Sequence, residues 1–239
     1  MLGRKITNVI RYCFDEILPP FIRDNYYCMY PFFYIWFKGK NVKRFMNFKR
    51  VFYKLSATEF EQYYKDYDSL PTRETDLTPE IITFIINQLD SDKQVKILDV
   101  GCGSGYLLHQ IQHHGYDNLL GVDLVEQIKY PNIPKKVANI EKLPFEDYAF
   151  DTVICCHTLE HVIDIRKAII ELKRVATQKL IIVVPRQRYY KYTFDLHIHF
   201  FPEISYLLNL LEMDEPQHIY KNIKGDWVVV CQMFKKMQP

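Results

Sequence analysis

The stretch ILDVGCGSGYLL (Ile97–Leu108) decides the fold. The apolar run VKILDV ends in three glycines within five residues, and a helix-compatible segment comes next. Glycine tolerates backbone angles that side chains forbid. Gly101, Gly103 and Gly105 therefore let the chain turn sharply out of a strand and bring its backbone against a ligand. A helix starting there points its N-terminal amides at the same place. In an open α/β sheet, ligands sit at the carboxyl ends of the strands, so this turn is the expected binding edge. Asp99, two residues before the first glycine, adds a carboxylate.

Three ligand chemistries could use such a turn. A Walker phosphate loop requires G-x-x-x-x-G-K-[ST], and no lysine follows Gly105. A dinucleotide fingerprint requires G-x-G-x-x-G; here the third glycine comes one residue early and position 106 is Tyr106. The spacing D-x-G-x-G-x-G instead resembles motif I of the class I S-adenosylmethionine-dependent methyltransferases. The resemblance implies that Asp99 lies near the charged methionyl end of the cofactor S-adenosyl-L-methionine. It also implies that Gly101, Cys102, Gly103 and Gly105 cradle the methionyl and ribose parts.

The resemblance extends along the chain. LLGVDLVEQ (Leu119–Gln127) reads as a second strand ending in Asp123, an acid that can accept both ribose hydroxyls, with Leu124 beside it. ANIEKLPFEDYAFDTVICCHTLEHV (Ala138–Val162) is similar to the type 11 branch of that family: an acid after the third strand, then L-P-F, then F-D-x-V opening the fourth strand, then L-E-H-V. Asn139 stands where the family carries Asp beside the adenine amine; its amide oxygen can accept the same hydrogen bond, and Ile140 would cover the adenine edge. The resemblance covers about residues 77–236 and leaves the first 75 unexplained.

Hydrophobic periodicity agrees with that fold. Strands are predicted near 95–100, 118–123, 134–138, 151–156 and 179–184, with helices near 104–114, 160–175 and 202–212. Thr78-Pro79 is an N-cap and first-turn pair for a helix reaching about Leu89. QHIYK (Gln217–Lys221) and WVVVCQMFKK (Trp227–Lys236) close the chain as a hairpin. The expectation is an α/β, Rossmann-like, seven-stranded, mostly parallel sheet with helices on both faces, spanning 76–239. Residues 1–75 form a helical, aromatic-rich N-terminal extension that caps it.

That extension has its own character. Residues 1–56 carry eleven Lys/Arg and three Asp/Glu, whereas the whole chain has a net charge of only +2. Apolar positions at helical spacing predict a helix over 4–18, ended by Pro19-Pro20. YYCMYPFFYIWF (Tyr26–Phe37) is aromatic and apolar throughout, and Pro31 is expected to break it. Lys38–Lys54 holds seven basic residues and no acid. It reads as one amphipathic helix with Phe45, Phe48, Phe52 and Leu55 on one face. Its basic face is either solvated or rests on an anionic membrane; nucleic acid is not the expected partner. Thr58-x-x-Glu61 reads as a capping box, and DSLPTRETDLT (Asp68–Thr78) as the boundary.

Six cysteines without a C-x-x-C pair imply reduced thiols and a cytoplasmic protein, peripheral to the inner face of a membrane if the basic face binds lipid. Charges interrupt any signal-peptide core, and no apolar run is long enough to span a bilayer.

The segment leaving the fourth strand, CCHTLEHV, narrows the acceptor. The [DNS]-P-P-[YFW] of nucleic-acid amine methyltransferases is absent, and Cys155 and Cys156 lack the Pro-Cys context of cytosine-C5 enzymes. His157 falls at the strand end as a candidate base or acceptor-positioning group; His161 suits a helix N-terminus. The loop PRQRYYKYTFDLHIHFFP (Pro185–Pro202) matches the family's D-x-H-x-x-F-F at Asp195, His197, Phe200 and Phe201, so the resemblance places it beside the acceptor. His197 is a second candidate base, while Arg186, Arg188 and His199 are candidate substrate ligands. Asp195, His197 and His199 alternate, which is conceivable for a metal, although no metal is expected. The expected activity is O-methylation of a small-molecule, glycan-type or lipid-linked acceptor. N- or C-methylation of a small metabolite, or cofactor binding by a non-catalytic partner subunit, are the alternatives. A dinucleotide oxidoreductase fits the early third glycine poorly.

Overall fold

The computed structural model describes residues 9, 12–67, 74–125, 129–212 and 218–233. The chain divides into two compact units, Met1–Arg73 with Gln187–Pro202, and Glu74–Arg186 with Glu203–Pro239.

The second unit is built on seven strands: β1 Ile97–Val100, β2 Leu119–Asp123, β3 Lys135–Val137, β4 Phe150–Cys156, β5 Ala176–Pro185, β6 His218–Ile223 and β7 Asp226–Gln232. Their order is β3-β2-β1-β4-β5-β7-β6. The first five run parallel, and β7 is antiparallel to both β5 and β6. The expected terminal hairpin is present, with β7 lodged inside the sheet and β6 at its edge. The central strand β1 is buried along its whole length, as a parallel strand covered on both faces must be. That is why ILDV reads as continuous apolar character interrupted only by Asp99.

Helices supply the cover. Thr78 caps the helix Pro79–Gln88, its hydroxyl accepting from the Ile81 amide at 3.1 Å. Tyr106–Gln112 follows the glycine turn and buries Leu107, Leu108 and Ile111. Together these two helices, β1, β4, β5 and β7 form one core that includes Ile81, Ile85, Leu108, Ile154, Ile181 and Val228. The helix expected over 160–175 starts later, at Ile165 and runs to Val175, because the Asp164 carboxylate accepts the Lys167 amide and sets the N-cap there. A single 3₁₀ turn, Leu159–His161, precedes it. Ile204–Leu211 is the last helix among the described residues.

In the first unit, Tyr26–Trp36 is one helix that runs through Pro31, contrary to the break expected there. Proline removes a bond to the Tyr27 carbonyl. Tyr27 is 84% exposed and Pro31 lies on the same solvent face, so water can satisfy that carbonyl. Asn25 caps this helix through two backbone amides. The basic helix expected over 38–54 is interrupted at Asn47, giving Val42–Met46, Phe48–Val51 and a 3₁₀ turn Phe52–Lys54. Phe45 and Phe48 are buried, whereas Phe52 and Leu55 are only half-buried. The capping box lies two residues earlier than expected. Ser56 and Glu59 exchange both bonds ahead of the helix Ala57–Lys65.

The segment Gln187–Pro202, assigned to the sheet unit on sequence grounds, packs here. Phe194 stacks on Phe33 at 4.6 Å and meets Trp36 at 4.8 Å. Tyr67 donates to the Phe194 carbonyl, the Lys191 amide to Asp24, and the Lys49 ammonium to the Tyr190 carbonyl. Burial pushes Lys49 down to about 6, with Asp24 opposing. The expected boundary at Asp68–Thr78, the start of the helix over 4–18 and the outer ends of the two C-terminal runs lie at least partly outside the described residues.

Candidate functional site

All three glycines after β1 take positive φ, at 81°, 51° and 84°. At Gly101 no side chain fits. A Cβ there would lie 1.9 Å from the Thr158 hydroxyl, which itself donates to the Cys156 carbonyl. At Gly103 a Cβ would meet nothing within 4 Å, so the turn opens onto space at its middle residue. The turn is fixed from the second strand. The amides of Gly101 and Cys102 both donate to the Val122 carbonyl, and the Gly103 amide donates to Asp123 Oδ2 at 2.8 Å.

Asp123, at the end of β2, also accepts the Val125 amide on its other oxygen at 3.1 Å. Each oxygen keeps a second lone pair, so a hydroxyl pair can still be received. Leu124 is half-buried beside it. Asp99 is 2% exposed. Burial pushes its carboxyl up to about 7, the Asp123 charge adds to that, and the Lys135 cation opposes it. Lys135 carries no motif that would single it out along the chain. Its ammonium donates to the Ser104 carbonyl at 2.6 Å and ties the start of β3 to the glycine turn. A pair of acids in this setting is short of positive charge. A ligand carrying a sulfonium and an ammonium supplies it, so the donor set fits S-adenosylmethionine. The Asn139 amide oxygen accepts the Glu141 amide at 2.8 Å, forming a local turn, and Ile140 is buried next to it.

The L-P-F stretch is held by one helix. Glu171 accepts the Leu143 amide, while Arg174 pairs with Glu171 and donates to the carbonyls of Leu143 and Phe145. Their hydrogen bonds hold Arg174 above and Glu171 below their usual ranges.

At the end of β4, His157 takes φ 48°. Its ring lies between two carboxylates, with Nδ1 3.4 Å from Glu160 and Nε2 3.3 Å from Asp226. Glu160 is fully buried and Asp226 is 2% exposed. Burial alone would push the imidazole down, but the carboxylates of Asp226 and then Glu160, each within ion-pair distance, overcome this and raise it to about 10. His157 therefore holds its proton near neutral pH, and the imidazolium ties the end of β4 to the first residue of β7. Neither acid was visible as a partner in the sequence: Glu160 lies in the L-E-H motif, but Asp226 is distant along the chain. Cys155 is buried within β4, and burial pushes its thiol well up.

The remaining candidates are dispersed. Arg186 is exposed, its guanidinium 6.0 Å from the Trp227 ring. In the first unit, Arg188 is exposed, His199 half-buried and His197 buried. His197 Nδ1 donates to Gln187 Oε1 at 2.6 Å. Leu196 has φ 22°, which breaks the extended path that would align Asp195, His197 and His199. Among the described residues those three do not bring three ligand atoms together.

Comparisons with known proteins agree with this geometry. Residues 98–184 match a family described as "Methyltransferase domain", type 11. The chain is 34% identical over 108 residues to the uncharacterized protein MJ0638 of Methanocaldococcus jannaschii, covering 44% of this chain and 47% of that one. It is 37% identical over 81 residues to a ubiquinone biosynthesis O-methyltransferase of Acinetobacter baylyi, covering 29% and 34%. The chain thus spans about half or less of the length of these curated relatives. The crystal structure of the PH0226 protein from Pyrococcus horikoshii shares the fold, with a TM-score of 0.53, 18% identity, and coverage of 72% of this chain and 98% of that one. Residues 98–184 thus match a type 11 methyltransferase domain, which is that of the class I S-adenosylmethionine-dependent methyltransferases, whose cofactor is S-adenosylmethionine.

Proposed function

We propose that this protein transfers a methyl group from S-adenosylmethionine to an oxygen of a small-molecule, glycan-type or lipid-linked acceptor. The observation that carries the reading is the glycine turn, open at Gly103, with the buried Asp99 before it and Asp123 bonded to its amide. The bound cofactor supplies an activated methyl on sulfur. The chain must bind, orient and exclude water. In this reading Asp99 receives the methionyl end, Asp123 the ribose, and Asn139 and Ile140 the adenine. His157, as an imidazolium clamped by two acids, is a positioning residue that fixes the end of β4. His197, buried and bonded through Nδ1 to Gln187, is the candidate base. Arg186, Arg188 and His199 are candidate acceptor ligands. The match to an O-methyltransferase supports the choice of oxygen, and the reduced cysteines suit a cytoplasmic location with peripheral membrane contact.

A second reading rests on His157. Its proton is held, so the sheet unit offers no base there, and a subunit that binds the cofactor for a catalytic partner would need none. N- or C-methylation of a small metabolite would use the same cofactor residues. Calorimetric titration with S-adenosylmethionine, beside transfer of a radiolabelled methyl into a cell extract, tests these together. Binding with labelled product supports the proposal, and product fragmentation identifies the atom. Binding without transfer favours the subunit, and absence of binding overturns both.

A further inference from the structure

The helix Tyr26–Trp36 is apolar all round, which is the pattern of a helix buried on every side. Here only one side is covered. Met29, Phe33 and Trp36 are buried, while Tyr27, Cys28, Pro31, Phe32, Tyr34 and Ile35 are exposed, Ile35 by 64% and Tyr27 by 84%. At 100° per residue the exposed set spans an arc of about 160° without a single charge. Phe21, 76% exposed, adds a further aromatic side chain on the preceding turn of helix. A soluble surface seldom leaves so much contiguous apolar area uncovered.

Charge identifies what covers it. From Asn25 to Ala57 the sequence contains seven Lys/Arg and no Asp or Glu. The exposed lysines Lys38, Lys40 and Lys43 begin just beyond the helix. Gly39 binds them to the apolar face: its amide donates to the Tyr34 carbonyl at 2.7 Å, and the Tyr34 ring lies 3.1 Å from where its Cβ would be. Lysines thus flank an exposed tyrosine at the end of an apolar face. Tyrosine and lysine are the side chains that settle at the headgroup level of a bilayer, with apolar neighbours below them. Eleven residues of helix reach about 16 Å, half of a bilayer core, and no helix among the described residues is long and apolar enough to cross a membrane.

We propose that the exposed face of Tyr26–Trp36, with Lys38, Lys40 and Lys43, lies in the interface of an anionic lipid bilayer. The helix rests parallel to the surface, its apolar arc among the upper acyl chains and the lysines on anionic headgroups. This holds independently of methyl transfer, so its failure leaves the enzymatic reading untouched, and the reverse.

The test is flotation of the full chain with phosphatidylcholine vesicles, with and without phosphatidylglycerol, at low and high salt. Binding is expected with the anionic vesicles and should weaken with salt. Ile35→Ser should weaken it about tenfold or more. Each of Lys38→Gln, Lys40→Gln and Lys43→Gln should cost about fivefold. All four positions are exposed, and circular dichroism should be unchanged. An environment-sensitive nitrobenzoxadiazole label on Cys28, in a Cys13→Ser chain, should shift to the blue on binding. No flotation at low salt, equal binding to neutral vesicles, an unshifted label, or binding indifferent to these substitutions would each overturn the proposal. So would a dimer in solution that Ile35→Ser dissociates, which would assign the face to a second copy of the chain.

Discussion

Replacing His157 by Asn removes the cation between Glu160 and Asp226 while keeping a residue that tolerates φ 48°. The backbone effect is thereby separated from the charge. Both carboxylates remain, one fully buried and one 2% exposed. Breaking a buried pair by removing one partner costs about 3–5 kcal/mol, a large share of a total of about 5–15 kcal/mol. The imidazole is raised from an unfolded value near 6.5 to about 10. Its contribution is therefore complete below about pH 6.5 and is lost as pH rises through about 10, with a slope of up to about 1.4 kcal/mol per pH unit between. The chain has two tryptophans, Trp36 in the first unit and Trp227 in β7. In a Trp36→Phe background, urea unfolding followed by fluorescence reports the sheet unit alone. His157→Asn should lower its stability by about 3–5 kcal/mol at pH 7 and flatten the decline between pH 7 and 9. A loss below about 1 kcal/mol, or an unchanged pH slope, would refute the buried imidazolium.

Asp99→Asn should weaken S-adenosylmethionine binding and abolish its pH dependence. With Asp99 raised to about 7 in the folded chain, wild-type affinity for the cationic ligand should climb from pH 6 to 8, as calorimetry would record. Without ligand the same group lowers stability as pH rises from about 4 to about 7, because the folded state holds the proton longer. Gly101→Ala should cost about 2–4 kcal/mol, from the positive φ and the 1.9 Å approach to Thr158, with Thr158→Ala recovering part in a double-variant melt. Ser56→Ala should cost about 1 kcal/mol of stability in the first unit, while Thr58→Ala should stay within about 0.5 kcal/mol; urea curves read at Trp36 distinguish them.

Much of the sheet unit is legible in the sequence because its signals are local. A buried parallel strand is a continuous apolar run, and Thr78-Pro79 announces a helix start within two residues. The features that stay hidden depend on partners far apart in sequence. The lodging of β7 between β5 and β6 is set by pairing, and runs of similar composition do not reveal it. The ring of His157 looks available in the sequence because Asp226 is remote along the chain. Lys135 reaches the glycine turn only once β3 is laid beside β2. In the N-terminal part the departures are of another kind. Pro31 reads as a helix breaker, yet the solvation of its face, which a linear pattern does not carry, lets the helix continue. Thr58 offers a plausible cap that masks the better one at Ser56, where the reciprocal bonds form. The candidate cofactor residues are legible as a spaced pattern, but most of the candidate acceptor residues lie in a loop whose conformation no periodicity encodes.

The segment Gln187–Pro202 leaves the sheet unit after β5 and rejoins it before Ile204–Leu211, having lent Phe194 to the aromatic cluster of Phe33 and Trp36. The N-terminal helices are accordingly not a detachable module in the genetic sense. A recombination event that exchanged residues 1–73 alone would strand Phe194 and Tyr190 without their counterparts Phe33, Trp36 and Lys49. Variation in one segment must be matched by variation in the other, so grafting the N-terminal helices of a relative would require both pieces of its chain together.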